Sequence, residues 1–163
     1  YFLREFPSHE DGDFSYKKFE ERYNGDLANG LGNLVARVAT LGEKVSPLHF
    51  DFKKDIEKNV DAVCDEVFKE YEVYLENIRL NEALTAIWRL VSLGDKYVNE
   101  KRPWELGGEA LKNAVVNAAY IIGVITNLLK PFLPDTSEKI RKQVLFKDSV
   151  VEIKKREALF PRI

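Results

Sequence analysis

The sequence predicts an all-α fold, a helical bundle of about five helices, and three features carry that prediction. Apolar residues recur at three- and four-residue spacing through most of the 163 residues. Glycine, proline and asparagine interrupt the periodic stretches where helix connections would fall. One stretch, Leu111 to Leu129, is apolar on nearly every side, the pattern of a helix at the centre of a bundle.

Taken in order, residues 1–14 read as an extended connection that turns at His9-Glu10-Asp11-Gly12-Asp13, and the helical domain occupies 15–163. Ser15 is placed to cap a helix over Tyr16–Tyr23. From Asn24, the spacing of Leu27, Leu31, Leu34, Val35 and Val38 carries one amphipathic helix to about Leu41. Gly25, Gly30 and Gly32 lie inside it, and each costs about 1 kcal/mol relative to Ala, which predicts close approach to a neighbouring helix. Gly42–Asp51 reads as a loop broken by Pro47. A second helix presents Ile56, Val60, Val63, Val67, Tyr71 and Tyr74. After a turn at Asn77–Asn81, a third helix presents Leu84, Ile87, Trp88, Val91 and Val98 and stops before Pro103.

Gly107-Gly108 opens the central apolar helix. Asp135, three residues before Glu138, predicts a capping-box start for a short basic helix carrying Lys139, Arg141 and Lys142. The tail Val150–Ile163 reads as extended and packed back on the bundle.

Composition narrows the function. With 45% apolar and 32% charged residues, the chain reads as an ordinary globular domain. The stretch Ala114–Leu129, interrupted by Asn117, Thr126 and Asn127, is expected to be too short and polar to cross a bilayer. The start, Tyr-Phe-Leu-Arg-Glu-Phe-Pro, does not read as a signal peptide, and the lack of methionine suggests a segment of a longer chain. The single cysteine, Cys64, excludes an internal disulfide and fits a reducing compartment, so the cytoplasm is the expected location. His9 and His49 form no metal-like cluster with Cys64, and no phosphate-cradling glycine loop precedes a Lys-Ser or Lys-Thr pair. The chain is expected to be inactive alone and to hold no cofactor or metal. Its net charge of −2 means that any polyanionic partner must be gripped locally, by shape, or with help from elsewhere.

Two places carry a binding signal. Asn33 and Arg37 are four apart and share a helix face. An amide offers a donor and an acceptor to a base edge, and a guanidinium offers a planar fork that also stacks. Spacing alone favours the plainer reading, an Asn bonded to a neighbouring loop beside a solvated Arg. At the second place, Pro103 fixes a corner after the third helix and sets Trp104 on it. An indole there can stack on an unpaired base, with Lys101 and Arg102 near for phosphates. The competing reading, an indole that seals the bundle end, is favoured by the sequence pattern alone. Trp88 continues an apolar face and reads as core; Lys139–Lys142 and Lys154–Arg156 have the charge to touch a nucleic-acid backbone, but such runs are usually solvated faces and are read as that.

Together these residues resemble the anticodon-binding portion of class I methionyl-tRNA synthetases. Asp11-Gly12-Asp13-Phe14-Ser15 is similar to the family's entry into its helical domain, and Arg22-Tyr23-Asn24 through Arg37 to its Arg-Tyr-Asn-x-Asp-Leu-Ala-Asn-x-Leu-Gly-Asn-Leu-x-x-Arg helix. Tyr97-Val98-Asn99 with Pro103-Trp104, Lys130-Pro131-Phe132-Leu133-Pro134 and Leu159-Phe160-Pro161-Arg162-Ile163 match later landmarks, so the resemblance covers essentially the whole chain. It implies a domain that reads the CAU anticodon of methionine tRNA, with base-reading roles falling on Asn33 and Arg37 and stacking on Trp104 after Pro103. Asn99 lies where some relatives have an acidic residue near the anticodon. The resemblance also implies a parent enzyme that joins methionine to tRNA with ATP and Mg²⁺, whose two nucleotide-binding signatures this chain lacks, and a catalytic half as partner. Relatives for leucine, isoleucine, valine and cysteine share the bundle, but the Pro-Trp corner with Asn33 and Arg37 points to methionine. A helical module that kept the fold and binds a protein is the alternative, favoured by the net acidity.

Overall fold

In the computed structural model, residues 1–6 and 12–163 are described. Most of the expected turn at 9–13, and Asp11 of the entry motif, lie outside them. The first element is a short helix, α1 (Phe2–Glu5), where an extended connection was expected. Aromatic packing of Tyr1 with Phe2, Phe6, Phe14 and Phe19 holds this turn. A hydrogen bond from Arg4 Nη1 to Thr85 Oγ1 at 2.6 Å ties it to the bundle, a long-range contact invisible to local pattern.

Helix α2 (Tyr16–Arg22) starts at Ser15, whose extended backbone and Oγ facing the Lys18 amide at 3.5 Å make a long N-cap. The chain then runs without a break through a π-helical stretch, Tyr23–Gly32, into α3 (Asn33–Gly42). Gly30 and Gly32 serve the wide turns, Gly30 also lying near Val91 and Trp88, whereas a Cβ on Gly25 would meet nothing within 4 Å. A Cβ on Gly32 would stand 2.9 Å from the Leu27 carbonyl oxygen, and one on Gly30 would stand 3.3 Å from that of Gly25. Both carbonyls lie five residues back, where i→i+5 bonding brings them. The tighter approach of helices falls at Gly94, whose Cβ would meet Leu34 Cδ2 at 2.7 Å.

Beyond α3 come a two-residue strand β1 (Leu48–His49), a one-turn helix α4 (Phe52–Asp55), and the long helices α5 (Lys58–Glu76) and α6 (Leu80–Lys101). Helix α7 (Gly108–Leu129) is the central one, packed against α3, α5 and α6. Its length and composition do suffice for a membrane span, which corrects the narrower reading of Ala114–Leu129. Most of it is buried by protein, so its apolarity serves the core. Leu34, Ile87, Leu90, Ile121, Ile122, Ile125 and Leu129 are fully buried there. Asn117 is buried among them at 0% exposure and fully bonded: its Oδ1 accepts from the Glu57 amide at 2.8 Å, and its Nδ2 donates to the carbonyls of Asp55 and Asn113.

Helix α8 (Pro134–Arg141) begins differently from the capping-box expectation. Leu133 is its N-cap, without a side-chain bond, because Pro134 occupies the first helical position and needs no amide partner. The chain next forms a hairpin of β2 (Val144–Lys147) and β3 (Val150–Ile153), turning at Asp148 with φ 50°. β3 is the middle strand, pairing antiparallel with β2 and with β1 through Leu48↔Val151. The small sheet is an addition to the all-helical expectation; among the described residues the four long helical segments, 16–42, Lys58–Glu76, Leu80–Lys101 and Gly108–Leu129, are as expected, except that Ile56 lies before α5 rather than in it. The tail then folds back: Asn24 Nδ2 donates to the Ile163 carbonyl at 2.8 Å.

Candidate nucleic-acid interface

The site is assembled where α3, the C-terminal end of α6 and the corner after it meet. Helix α6 ends at Arg102 in the left-handed conformation (φ 46°, ψ 57°), a cap more often made by glycine. That reversal leads directly into a single 3-10 turn, Pro103–Glu105, packed on α7. Pro103 is buried and anchors the corner; Trp104 is 53% exposed on it. The indole therefore does not seal the bundle end.

Arg37 joins the helices to that corner. Its Nη2 donates to Asn99 Oδ1 at 2.7 Å, and its Nη1 lies 3.4 Å from Asp95 Oδ1. Its guanidinium carbon lies 5.7 Å from the centre of the Trp104 ring, a cation–π arrangement. Asp95 and Asn99 are one turn apart on α6, so both meet the same fork. Burial pushes the Asp95 carboxyl above its ordinary value, and the Arg37 charge only partly offsets this. Arg37 is thus held in place, with three partners fixing a side chain that otherwise has high rotamer freedom.

Asn33 is exposed one turn before Arg37 and lines a cleft shared with Asn29, Gly32, Phe160 and Arg162. The structure brings Arg37 into contact with both Asn99 and Trp104, and Trp104 follows buried Pro103 directly. Asn33 stands on the same helix but borders the tail. Lys101 is less free than its sequence position suggests: its ammonium is 2.8 Å from Glu57, which also accepts from Tyr97 Oη at 2.8 Å. Arg102 lies 3.4 Å from Glu105. Asp95 was missed in the sequence, although its place four residues before Asn99 on a predicted helix was a usable signal. Trp88 is half-buried against the core, with Arg4 over its ring at 5.8 Å. Cys64 is buried and its thiol is pushed up to about 12 by burial and by Asp61 and Asp65, as inert core filling requires. Among the described residues, no group of three or more His, Cys, Asp or Glu is arranged to hold a metal ion.

The class of protein is given first by the helical bundle as a whole. Residues 57–159 match the family described as "Anticodon-binding domain of tRNA ligase", and the chain belongs to that family. Residues 1–39 match "tRNA synthetases class I (M)", which makes this the methionyl-tRNA synthetase type of the domain. The methionine–tRNA ligase of Bacillus subtilis is 32% identical over 187 aligned residues, covering all of this chain and 28% of the relative. That of Caldanaerobacter subterraneus subsp. tengcongensis is 32% identical over 190 residues, covering all of this chain and 29% of the relative. The chain thus spans less than a third of the length of these curated relatives. The apo Mycobacterium tuberculosis methionyl-tRNA synthetase has the same fold, with a TM-score of 0.84 at 22% identity over 99% of this chain and 37% of that one.

Proposed function

We propose that this domain recognises the CAU anticodon of methionine tRNA by stacking and by hydrogen bonding to splayed-out bases. Trp104 offers its open face to one base. Arg37, held in place beside it by Asp95 and Asn99, presents guanidinium N–H groups to a base edge, and Asn33 offers an amide one turn away. Asn99 orients Arg37, and Pro103 fixes the corner. The observation that carries the reading is the Arg37–Trp104 contact at 5.7 Å beside a half-exposed indole. A guanidinium and an aromatic plane already arranged need little further ordering on binding.

Ligation of methionine to tRNA, with ATP and Mg²⁺, belongs in this reading to a catalytic half carried by a longer ligase chain, in the cytoplasm. The domain alone supplies recognition. Titration of the chain with a CAU stem-loop and with a scrambled-loop control tests this. A clear preference for CAU supports base reading; equal affinity for both would overturn it, and binding to neither would favour the protein-binding alternative.

A further inference from the structure

The chain's positive charge is segregated. Residues 130–163 carry nine Lys and Arg against five Asp and Glu, whereas residues 1–129 carry sixteen against twenty-two. Pairing is segregated as well. The cations of the anticodon face are engaged by acids: Arg37 by Asp95, Lys101 by Glu57, Arg102 by Glu105. In contrast, Lys139, Arg141, Lys154, Lys155, Arg156 and Arg162 have no carboxylate within ion-pair distance among the described residues. Lys142 reaches Glu138 only at 4.0 Å.

These free cations are not scattered. The cleft that holds Asn33 is walled by the tail residues Ala158, Leu159 and Arg162. The neighbouring cleft shares Ala158 and Leu159 and is lined by Lys139, Lys142 and Arg156, with Glu157 the one acid. The next shares Lys142 and Arg156 and adds Arg141 and Lys154, interspersed with Glu43, Glu138 and Glu152. A continuous furrow therefore follows the tail from Asn33 to the end of α8. Two of its cations are fixed by the fold: Arg162 Nη2 donates to Asn29 Oδ1 at 2.7 Å, and Arg156 Nε donates to the Lys142 carbonyl at 3.0 Å. In each case the remaining guanidinium N–H groups are left for a ligand.

We infer that this furrow is a second RNA contact, in which Arg162, Arg156, Lys142 and Lys139 track the phosphate backbone of the RNA whose bases are read at Asn33 and Arg37. The inference rests on the proposed anticodon reading for the identity of the polyanion. It reconciles a chain of net charge −2 with a polyanionic partner, since counterion release needs only local charge. The contact is independent of sequence and screened by salt, whereas the Trp104 corner is specific and less dependent on salt.

The test is the salt dependence of binding to the CAU stem-loop, for wild type and for Lys139→Gln/Lys142→Gln/Arg156→Gln. Each lost phosphate contact lowers the slope of log affinity against log salt by about 0.7–0.9, so the triple variant flattens it by about 2. Its ratio of CAU to scrambled affinity stays that of wild type. A control with the same charge change on α4 and α5, Lys53→Gln/Lys58→Gln/Lys69→Gln, keeps the wild-type slope. An unchanged slope in the first variant, or an equal loss in the control, overturns the inference. If the triple variant loses its cooperative melt, Lys139→Gln/Lys142→Gln, which spares the bonded Arg156, must flatten the slope by about 1.5. The two readings fail separately: loss of CAU preference with a flattened slope removes the anticodon assignment and keeps the furrow, and the converse keeps the corner alone.

Discussion

Arg37 and Trp104, 67 residues apart in the chain, face each other with the guanidinium carbon 5.7 Å from the indole centre. Neither contact partner is buried away, and the arginine is tethered on its far side by Asp95 and Asn99. In the proposed reading, a base entering beside Trp104 would meet a guanidinium already held in place. Arg37→Ala should relax the preference for CAU over altered anticodons by about 1–3 kcal/mol while changing the salt slope little. Competition titrations with single-base variants of the loop measure both. Asn99→Ala should act in the same direction more weakly, because it frees the guanidinium without removing it.

The π-helical stretch ties fold to site through Gly32. Any side chain there collides with the Leu27 carbonyl at 2.9 Å and touches Phe160 Cδ2 at 3.4 Å. Gly32→Ala should cost about 1–3 kcal/mol in stability, as other overpacked positions do. It should also weaken stem-loop binding, because Asn33 follows directly. Gly25→Ala, whose Cβ meets nothing within 4 Å, is the matched control and should leave both unchanged or slightly improved. Thermal melts paired with binding titrations decide this.

Asn117 binds the start of α5 to α7 from inside the core. Asn117→Leu fills similar space but leaves the Glu57 amide and the Asp55 carbonyl without their partner. The expected cost is about 1–3 kcal/mol for each group left unpaired, read as a lower urea midpoint. An unchanged midpoint would show that water replaces the amide.

Glu57 should give the fold an acid-sensitive component. Burial alone pushes its carboxyl up, but hydrogen bonds from Lys101 and Tyr97 and the charge of Lys101 outweigh it, so the carboxyl sits below its ordinary value. A depressed carboxylate stabilises the fold above its unfolded value, near about 4.3, and that stabilisation is lost as pH falls through the folded value. Stability measured from pH 6 down to 2 should therefore decline less steeply below about pH 4.3 in Glu57→Gln than in wild type.

Much of this was legible in the sequence, for physical reasons that differ by element. The long helices were readable because apolar spacing reports which face is buried, and α7 because it is buried all round. Pro103 marked the end of α6, though not that Arg102 would supply the left-handed cap. The hairpin was missed despite β-branched residues flanking Asp148-Ser149, because the four-residue strands are too short for alternation to stand out. The helix at Phe2–Glu5 depends on Thr85, which no local window contains. The contact of Arg37 with Trp104 joins two places that the sequence presents separately, 67 residues apart. Its clamp by Asp95 required knowing that α6 lies against α3; of the three glycines, Gly30 does approach α6 at Val91 and Trp88, Gly32 is constrained by the Leu27 carbonyl, and Gly25 meets nothing.

The most direct measurement uses the protein's two tryptophans. Trp88 is half-buried and its indole Nε1 has no hydrogen-bond partner, so Trp88→Phe should retain the fold and leave Trp104 as the sole tryptophan, excited selectively over the seven tyrosines. Saturating that protein with a CAU stem-loop should strongly quench the Trp104 emission as a base stacks on the ring, and the scrambled loop should not. If the CAU stem-loop binds with wild-type affinity while the Trp104 emission stays unchanged, the indole is not the stacking platform and the proposed recognition face is wrong.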